Sequence, residues 1–173
     1  MTITVPSTDS EFEQIHKLNY TTFVDEIPQH QGNDQKVLID KFHDKNKYII
    51  AKDEHQVIAM VSYSLERPFS LDEKINNLDT YLPAYTKLAE VRLLAVDKSE
   101  RKKMTTYLLL KKLCEELMKE NVDTAVISGT TRELKLYAKI GFIPFGNVVG
   151  THEATYQPMF ITLNHLRDDF KRN

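Results

Sequence analysis

The chain has one cysteine, Cys114, among 173 residues. That excludes an intramolecular disulfide framework and suits a reducing compartment. No apolar run approaches the roughly 20 residues that a membrane-spanning helix requires. Basic residues do not outnumber acidic ones: 23 stand against 25, for a formal net charge of −2. That weighs against nucleic acid as a partner, which usually goes with a basic excess. Met1-Thr2-Ile3-Thr4-Val5-Pro6 lacks the charged start and apolar core of a signal peptide. Repeats, low-complexity tracts and linkers are also missing. The expectation is a cytoplasmic protein with no membrane and no nucleic-acid partner, folded as one domain over residues 1–173. With 41% hydrophobic and 28% charged residues, the composition is that of a globular protein with a core.

Ser7-Thr8-Asp9-Ser10 offers helix N-caps, with Glu11 and Glu13 in the first turn. Phe12, Ile15, Leu18 and the residues from Tyr20 to Val24 recur at helical spacing, which predicts a helix to about Ile27, stopped by Pro28. A second helix is expected over Asp34 to Asp44, with Val37, Leu38 and Phe42 facing inward. Tyr48 to Ala51 and Val57 to Tyr63 are β-branched and aromatic around a polar turn and read as an antiparallel hairpin. Leu65 to Tyr85 reads as a long loop, a length that is often functional. Leu88 to Val96 is the next strand, and a helix over Met104 to Glu120 follows the basic Arg101-Lys102-Lys103. Then come a short strand over Thr124 to Ser128, a helix over Thr130 to Ile140 ended by Gly141, and a strand over Met159 to Leu163. This order predicts an α/β (α+β) domain around one central sheet.

Three stretches resemble the GNAT acyltransferase superfamily. Ala89-Glu90-Val91-Arg92-Leu93-Leu94-Ala95-Val96 is similar to its fourth strand, and Arg101 to Leu110 stands where its pyrophosphate loop and helix would be. Leu136-Tyr137-Ala138-Lys139-Ile140-Gly141-Phe142 is similar to its late signature. Phe23 to His30, Arg67 to Asp72 and Ile127 to Arg132 resemble a divergent branch, the GNAT domains related to N-acyl amino acid and autoinducer synthases. The resemblance implies a central mixed, mainly antiparallel sheet flanked by helices. It also implies acyl transfer from acetyl-CoA or another acyl-CoA to a primary amine of a small molecule. Homodimers are common among similar proteins.

Such a reaction needs a neutral amine, a stabilised oxyanion and a proton for the departing thiolate. The resemblance places the thioester carbonyl on backbone N–H groups of Leu94, Ala95 and Val96. It makes Glu90 the general base; the other reading of Glu90 is a surface pair with Arg92 or Lys87. Period-two alternation puts Glu90 on one face with Arg92, Leu94 and Val96. Tyr137 matches the tyrosine that protonates the thiolate; otherwise it is a packed helix tyrosine. The phosphate loop would be Arg101, Lys102, Lys103, Met104, Thr105 and Thr106, and both glycine positions of the usual pattern hold larger residues. Three cations and two hydroxyls beside a helix start still suit phosphate, although a solvated basic turn has the same composition. The missing glycines leave three options open: weakened coenzyme A binding, a pantetheine donor carried on a carrier protein, or loss of activity, which would leave a non-catalytic binding or regulatory module.

On the acceptor side the resemblance points to Phe23, Glu26, His30, Arg67 and Arg92, with either arginine able to hold a carboxylate bidentately. For each arginine the alternative is a structural pair or solvation. His30, His43 and His152 are not at metal-ligand spacing, so no metal is expected. Cys114, beside Leu113 and Leu117 in a helix, reads as a packing residue.

Overall fold

A computed structural model of the chain describes residues 1–101 and 104–166. Among the described residues the contacts fall into two compact units: residues 1–63 with 93–101 and 104–113, and residues 64–92 with 114–166. The fold is the expected mixed α/β type, with a mainly antiparallel sheet flanked by helices. Among the described residues no helix is long and apolar enough to cross a membrane.

In the first unit, β1 (Thr2–Thr4) pairs antiparallel with β2 (Lys47–Asp53), which forms the predicted hairpin with β3 (Gln56–Ser64). The register sets Ile49 opposite Val61 and Ile50 opposite Met60, and all four are buried. α1 (Asp9–Tyr20) starts where the caps predict. Thr8 Oγ1 accepts the Glu11 N–H at 3.2 Å, while Glu11 Oε2 accepts the Ser7 N–H at 2.7 Å and the Thr8 N–H at 3.2 Å. Glu11 Oε1 also meets Lys52 Nζ of β2 at 2.6 Å. Gln14 fixes α1 on the hairpin end, donating to the His55 carbonyl at 3.0 Å and accepting the Val57 N–H at 2.8 Å.

The first helix does not run on as one α-helix to Ile27. After Tyr20 it widens into a π-helical turn, Thr21–Glu26, closed by the Ile27 N–H on the Thr22 carbonyl at 2.9 Å. Such turns are frequent at functional sites. The second helix expected over Asp34 to Asp44 is absent, and the segment consists of two turns joined by irregular chain. Side chains capture its backbone instead. Asn33 Nδ2 donates to the Val37 carbonyl at 2.8 Å, and Asp40 Oδ2 accepts the Phe42 N–H at 3.0 Å and Asn46 Nδ2 at 2.9 Å. Lys36 has φ of 53°, which no α-helix accommodates. Asn and Asp compete with helical bonding in this manner, and spacing alone does not reveal it.

In the second unit, the first residues of β4 (Leu88–Val96) run parallel to β5 (Thr124–Thr130), with Glu90 opposite Val126. β5 pairs antiparallel with β8 (Ala154–Thr162) from Thr124–Thr162 to Thr130–Tyr156. β6 (Ile143–Pro144) and β7 (Val149–Thr151) also join β8. At Gly150 a Cβ would stand 2.1 Å from the Ala154 carbonyl oxygen, so this tight turn admits glycine alone. The region expected to be a loose loop, Leu65 to Tyr85, carries α2 (Ser70–Lys74) and a 3₁₀ turn (Leu78–Tyr81). Phe69, Leu71 and Leu78 bury against Leu88 and Val126. Each such side chain contributes about 1.5–3 kcal/mol of burial, enough to order the segment.

α3 (Thr105–Lys119) buries Leu109, Leu113 and Leu117. Cys114 is buried beside them, and burial pushes its thiol up to about 12, which keeps it an unreactive packing group at neutral pH.

Candidate active site

Glu90 is 1% exposed in the middle of a strand. A carboxylate there needs donors, and α2 supplies them: Oε1 accepts the Ser70 N–H at 3.0 Å and Oε2 the Leu71 N–H at 2.9 Å. Arg92 Nε lies 3.5 Å from Oε1. Burial raises the Glu90 pKa above the usual carboxylate value, against the opposing pull of Arg92, the two N–H groups and Lys74. Each oxygen keeps a further lone pair, so the group can still take a proton. Arg92 is only partly buried and is the cation beside this carboxylate.

Tyr137 comes from α4 (Leu134–Ile140). The helix closes on its carbonyl, which accepts the Gly141 N–H at 3.1 Å and the Phe142 N–H at 3.0 Å. Gly141 has φ of 123°, which explains the glycine of the late signature. Phe142 lies edge-on to the Tyr137 ring at 5.8 Å. The ring also packs so closely on Gly129 of β5 that a Cβ there would stand 3.0 Å from Cδ2. Tyr137 is 3% exposed, and burial raises its pKa well above the ordinary phenol value. It therefore holds its proton through the neutral range.

In the first unit, Leu93 has φ of 57° in the middle of β4. This left-handed conformation is uncommon for leucine and is that of the first residue of one type of β-bulge. It interrupts the period-two alternation at this point of the strand. Ala95 and Val96 are both buried.

The turn after β4 is organised by carboxylates. Asp97 Oδ1 accepts the Ser99 N–H at 2.9 Å and its hydroxyl at 2.7 Å. Arg101 gives Nε to the Val96 carbonyl at 2.9 Å and Nη2 to both Glu26 oxygens at 2.7 and 2.6 Å. Thr105 is buried, and its hydroxyl donates to Glu100 Oε2 at 3.1 Å. Two groups expected to hold phosphate, Arg101 and Thr105, thus have protein partners. Met104 is 60% exposed and Thr106 is partly buried. Lys102 and Lys103 lie outside the described residues.

Among the expected acceptor residues, Phe23 is buried in the first unit and its carbonyl accepts the Gln29 and His30 N–H groups, each at 3.2 Å. Glu26 is the partner of Arg101. Arg67 donates Nε to Asp72 Oδ2 at 3.1 Å, Nη2 to Asp72 Oδ1, and Nη1 to Asp79 at 2.8 Å and to the Tyr85 hydroxyl at 3.1 Å. The guanidinium is held by carboxylates of its own segment, which is the structural pair given as the other reading of Arg67. Among the described residues no group of three or more His, Cys, Asp or Glu is arranged to hold a metal ion.

The sequence model of the N-acyl amino acid synthase FeeM family matches residues 14–163. The chain belongs to this FeeM family. It is an acyltransferase, and its fold is related to the GNAT fold. No curated protein matches it by sequence. Among solved structures, the CoA-dependent acyl-homoserine lactone synthase MesI is similar at a TM-score of 0.78 and 16% identity, over 99% of this chain and 93% of that one. FeeM itself, an N-acyl amino acid synthase from uncultured soil microbes, gives a TM-score of 0.74 at 16% identity, over 96% and 98%. An aminoglycoside 6′-N-acetyltransferase complexed with coenzyme A gives 0.67 at 13%, over 97% and 100%. At these identities the structures speak for the fold.

Within this FeeM-family chain, sequence reasoning missed the partners. Asp72, Asp79 and Tyr85 around Arg67, Glu100 beside Thr105, and the Ser70 and Leu71 N–H groups on Glu90 were not singled out. The alternation of Arg67 with acidic residues at 72 and 79 was a readable signal. The backbone donors had none.

Proposed function

We propose that the chain is an N-acyl amino acid synthase, moving the acyl group of a thioester to the α-amine of an amino acid. Family membership across residues 14–163 carries this reading. The site residues support it. Glu90, with its raised pKa, accepts a proton from the acceptor's ammonium, which frees the amine lone pair to attack, because a base works best when its pKa approaches the operating pH. Arg92 beside it offers a guanidinium to the acceptor's carboxylate. Backbone N–H groups of Leu94 to Val96, re-aimed by the conformation of Leu93, hold the thioester oxygen as it gains charge. Tyr137 gives its proton to the thiolate as the C–S bond breaks. Because burial raises its pKa, that transfer accompanies bond cleavage.

The donor is read as an acyl-CoA. A second reading, an acyl group on a carrier protein, is favoured by one observation: Arg101 and Thr105 are engaged by Glu26 and Glu100, and no glycine cradle replaces them. The test incubates the protein with each of the twenty L-amino acids and either acyl-CoA or acyl-carrier protein of matched chain lengths. Mass spectrometry of N-acyl amino acids and release of free thiol are the readouts. Product with one donor class decides the donor. Absence of product with every pair would overturn the proposed function.

A further inference from the structure

Arg101 lies at the loop where sequence reasoning expects a phosphate ligand, yet its bonds describe a different task. Its guanidinium joins two distant points of the first unit. Nη2 takes both oxygens of Glu26, the last residue of the π-helical turn, and Nε takes the carbonyl of Val96, the last residue of β4. The pair is largely buried, with 27% of the arginine side chain and 14% of the glutamate side chain exposed. Two-oxygen engagement of an arginine fixes orientation as well as distance. A further charge bears on the guanidinium: Arg101 helps hold the Asp97 carboxyl below its usual value.

We propose that Arg101 and Glu26 are positioning residues that pin the end of β4, rather than ligands of donor and acceptor. Three residues before Val96 stands Leu93, in a left-handed conformation that costs free energy and persists only where the surroundings enforce it. On one side of Leu94 to Val96 is that strained residue; on the other is the Arg101 bond to the Val96 carbonyl. The pair holds the segment in place from its far end, and the π-helical turn is the anchor. Removing Glu26 leaves the guanidinium without its fixed counter-charge and lets the strand end relax toward regular geometry.

This inference rests on the proposed acyl transfer for its kinetic part, and its structural part is tested separately. Amide hydrogen exchange of the wild type, Glu26→Gln and Arg101→Lys is expected to show exchange at residues 94–96 accelerated at least about tenfold in both variants, with β2 unchanged. Unchanged exchange at 94–96 overturns the inference, whether or not the protein transfers acyl groups. In the transfer assay Glu26→Gln is expected to lower kcat by about tenfold or more, with the KM for donor and acceptor held within about twofold. The opposite pattern is equally readable. A fall in donor KM on Glu26→Gln would mean that freeing Arg101 creates a phosphate ligand, and a rise in acceptor KM alone would make Glu26 an acceptor contact; either overturns the assignment. Accelerated exchange in both variants of a protein whose wild type makes no product leaves the positioning pair standing and removes the proposed function.

Discussion

Glu90 Oε2 accepts the Leu71 N–H at 2.9 Å, so a carboxylate buried in β4 fixes the start of α2. With the Ser70 N–H at 3.0 Å on the other oxygen, the same side chain is both the candidate base and a structural support. Glu90→Gln keeps one acceptor but turns an NH₂ group toward a backbone donor. The expected loss is about 1–3 kcal/mol of unfolding free energy, measured by urea denaturation.

The pH dependence of that loss has a definite sign. Burial raises the folded carboxyl's pKa above its unfolded value. The folded state therefore binds the proton more tightly, and the group's stabilising contribution is complete below the unfolded pKa and disappears as pH rises through the folded one. Urea titrations across this range should show the decline in the wild type and its absence in Glu90→Gln. The transfer rate should rise with pH over the same window, as Glu90 loses its proton, and a Glu90→Gln variant with the same rising limb would remove the base role.

Most of the architecture was legible because it follows from short-range pattern. Thr8 and Glu11 announce the start of α1, Gly141 announces the end of α4, and the hairpin shows in its β-branched runs. Two of the failed expectations have different physical causes, local side-chain capture of the backbone in one and packing on residues distant in sequence in the other. Asn33 and Asp40 take backbone groups that a helix over Asp34 to Asp44 would need. Leu71 and Leu78 find Leu88 and Val126, and so order a segment whose own pattern is loose. At the site, the residue types of β4 and α4 were readable, and so was a structural pair for Arg67, whereas the engagement of Arg101 and Thr105 by carboxylates was not.

Tyr137 gives the next prediction. Tyr137→Phe keeps the ring that packs on Gly129 and Phe142 and removes the hydroxyl alone. Turnover is expected to fall about 10²-fold with donor binding little changed, read as kcat against donor KM; unchanged turnover would remove the acid role. Gly129→Ala is the packing control. Its Cβ would lie 3.0 Å from the Tyr137 ring and 3.3 Å from the Met159 sulfur, so a loss of about 1–3 kcal/mol in unfolding free energy is expected.

Acid stability should depend on Glu11. Its bond to Lys52, with the Ser7 N–H and Thr8 N–H, lowers the carboxyl to about 2. A depressed carboxyl contributes stability above its unfolded pKa and loses that contribution as pH falls toward the folded value. Circular dichroism between pH 5 and about pH 2 should therefore show a shallower acid transition in Glu11→Gln than in the wild type. A variant with the same acid slope would mean that the Lys52 pair does not link folding to protonation.

Arg67 separates a structural fork from a substrate fork. Against burial, Arg67 and the Phe69 N–H hold Asp72 below its usual pKa; the Tyr85 hydroxyl and then Arg67 do the same for Asp79. About a third of the Arg67 side chain and half of Asp79 are exposed, so solvent screens the pairs and their joint contribution stays near 1 kcal/mol or less. A lysine in place of Arg67 reaches only one carboxylate as a point charge. Arg67→Lys is therefore expected to cost a small amount of stability and to leave the acceptor KM within about twofold. A tenfold rise in that KM, with stability intact, would mean that the guanidinium leaves Asp72 and Asp79 to take the acceptor's carboxylate. Asp79→Asn decides between the two from the other side. It loosens the fork, so it should lower the acceptor KM if Arg67 binds substrate and leave it unchanged if Arg67 belongs to the scaffold.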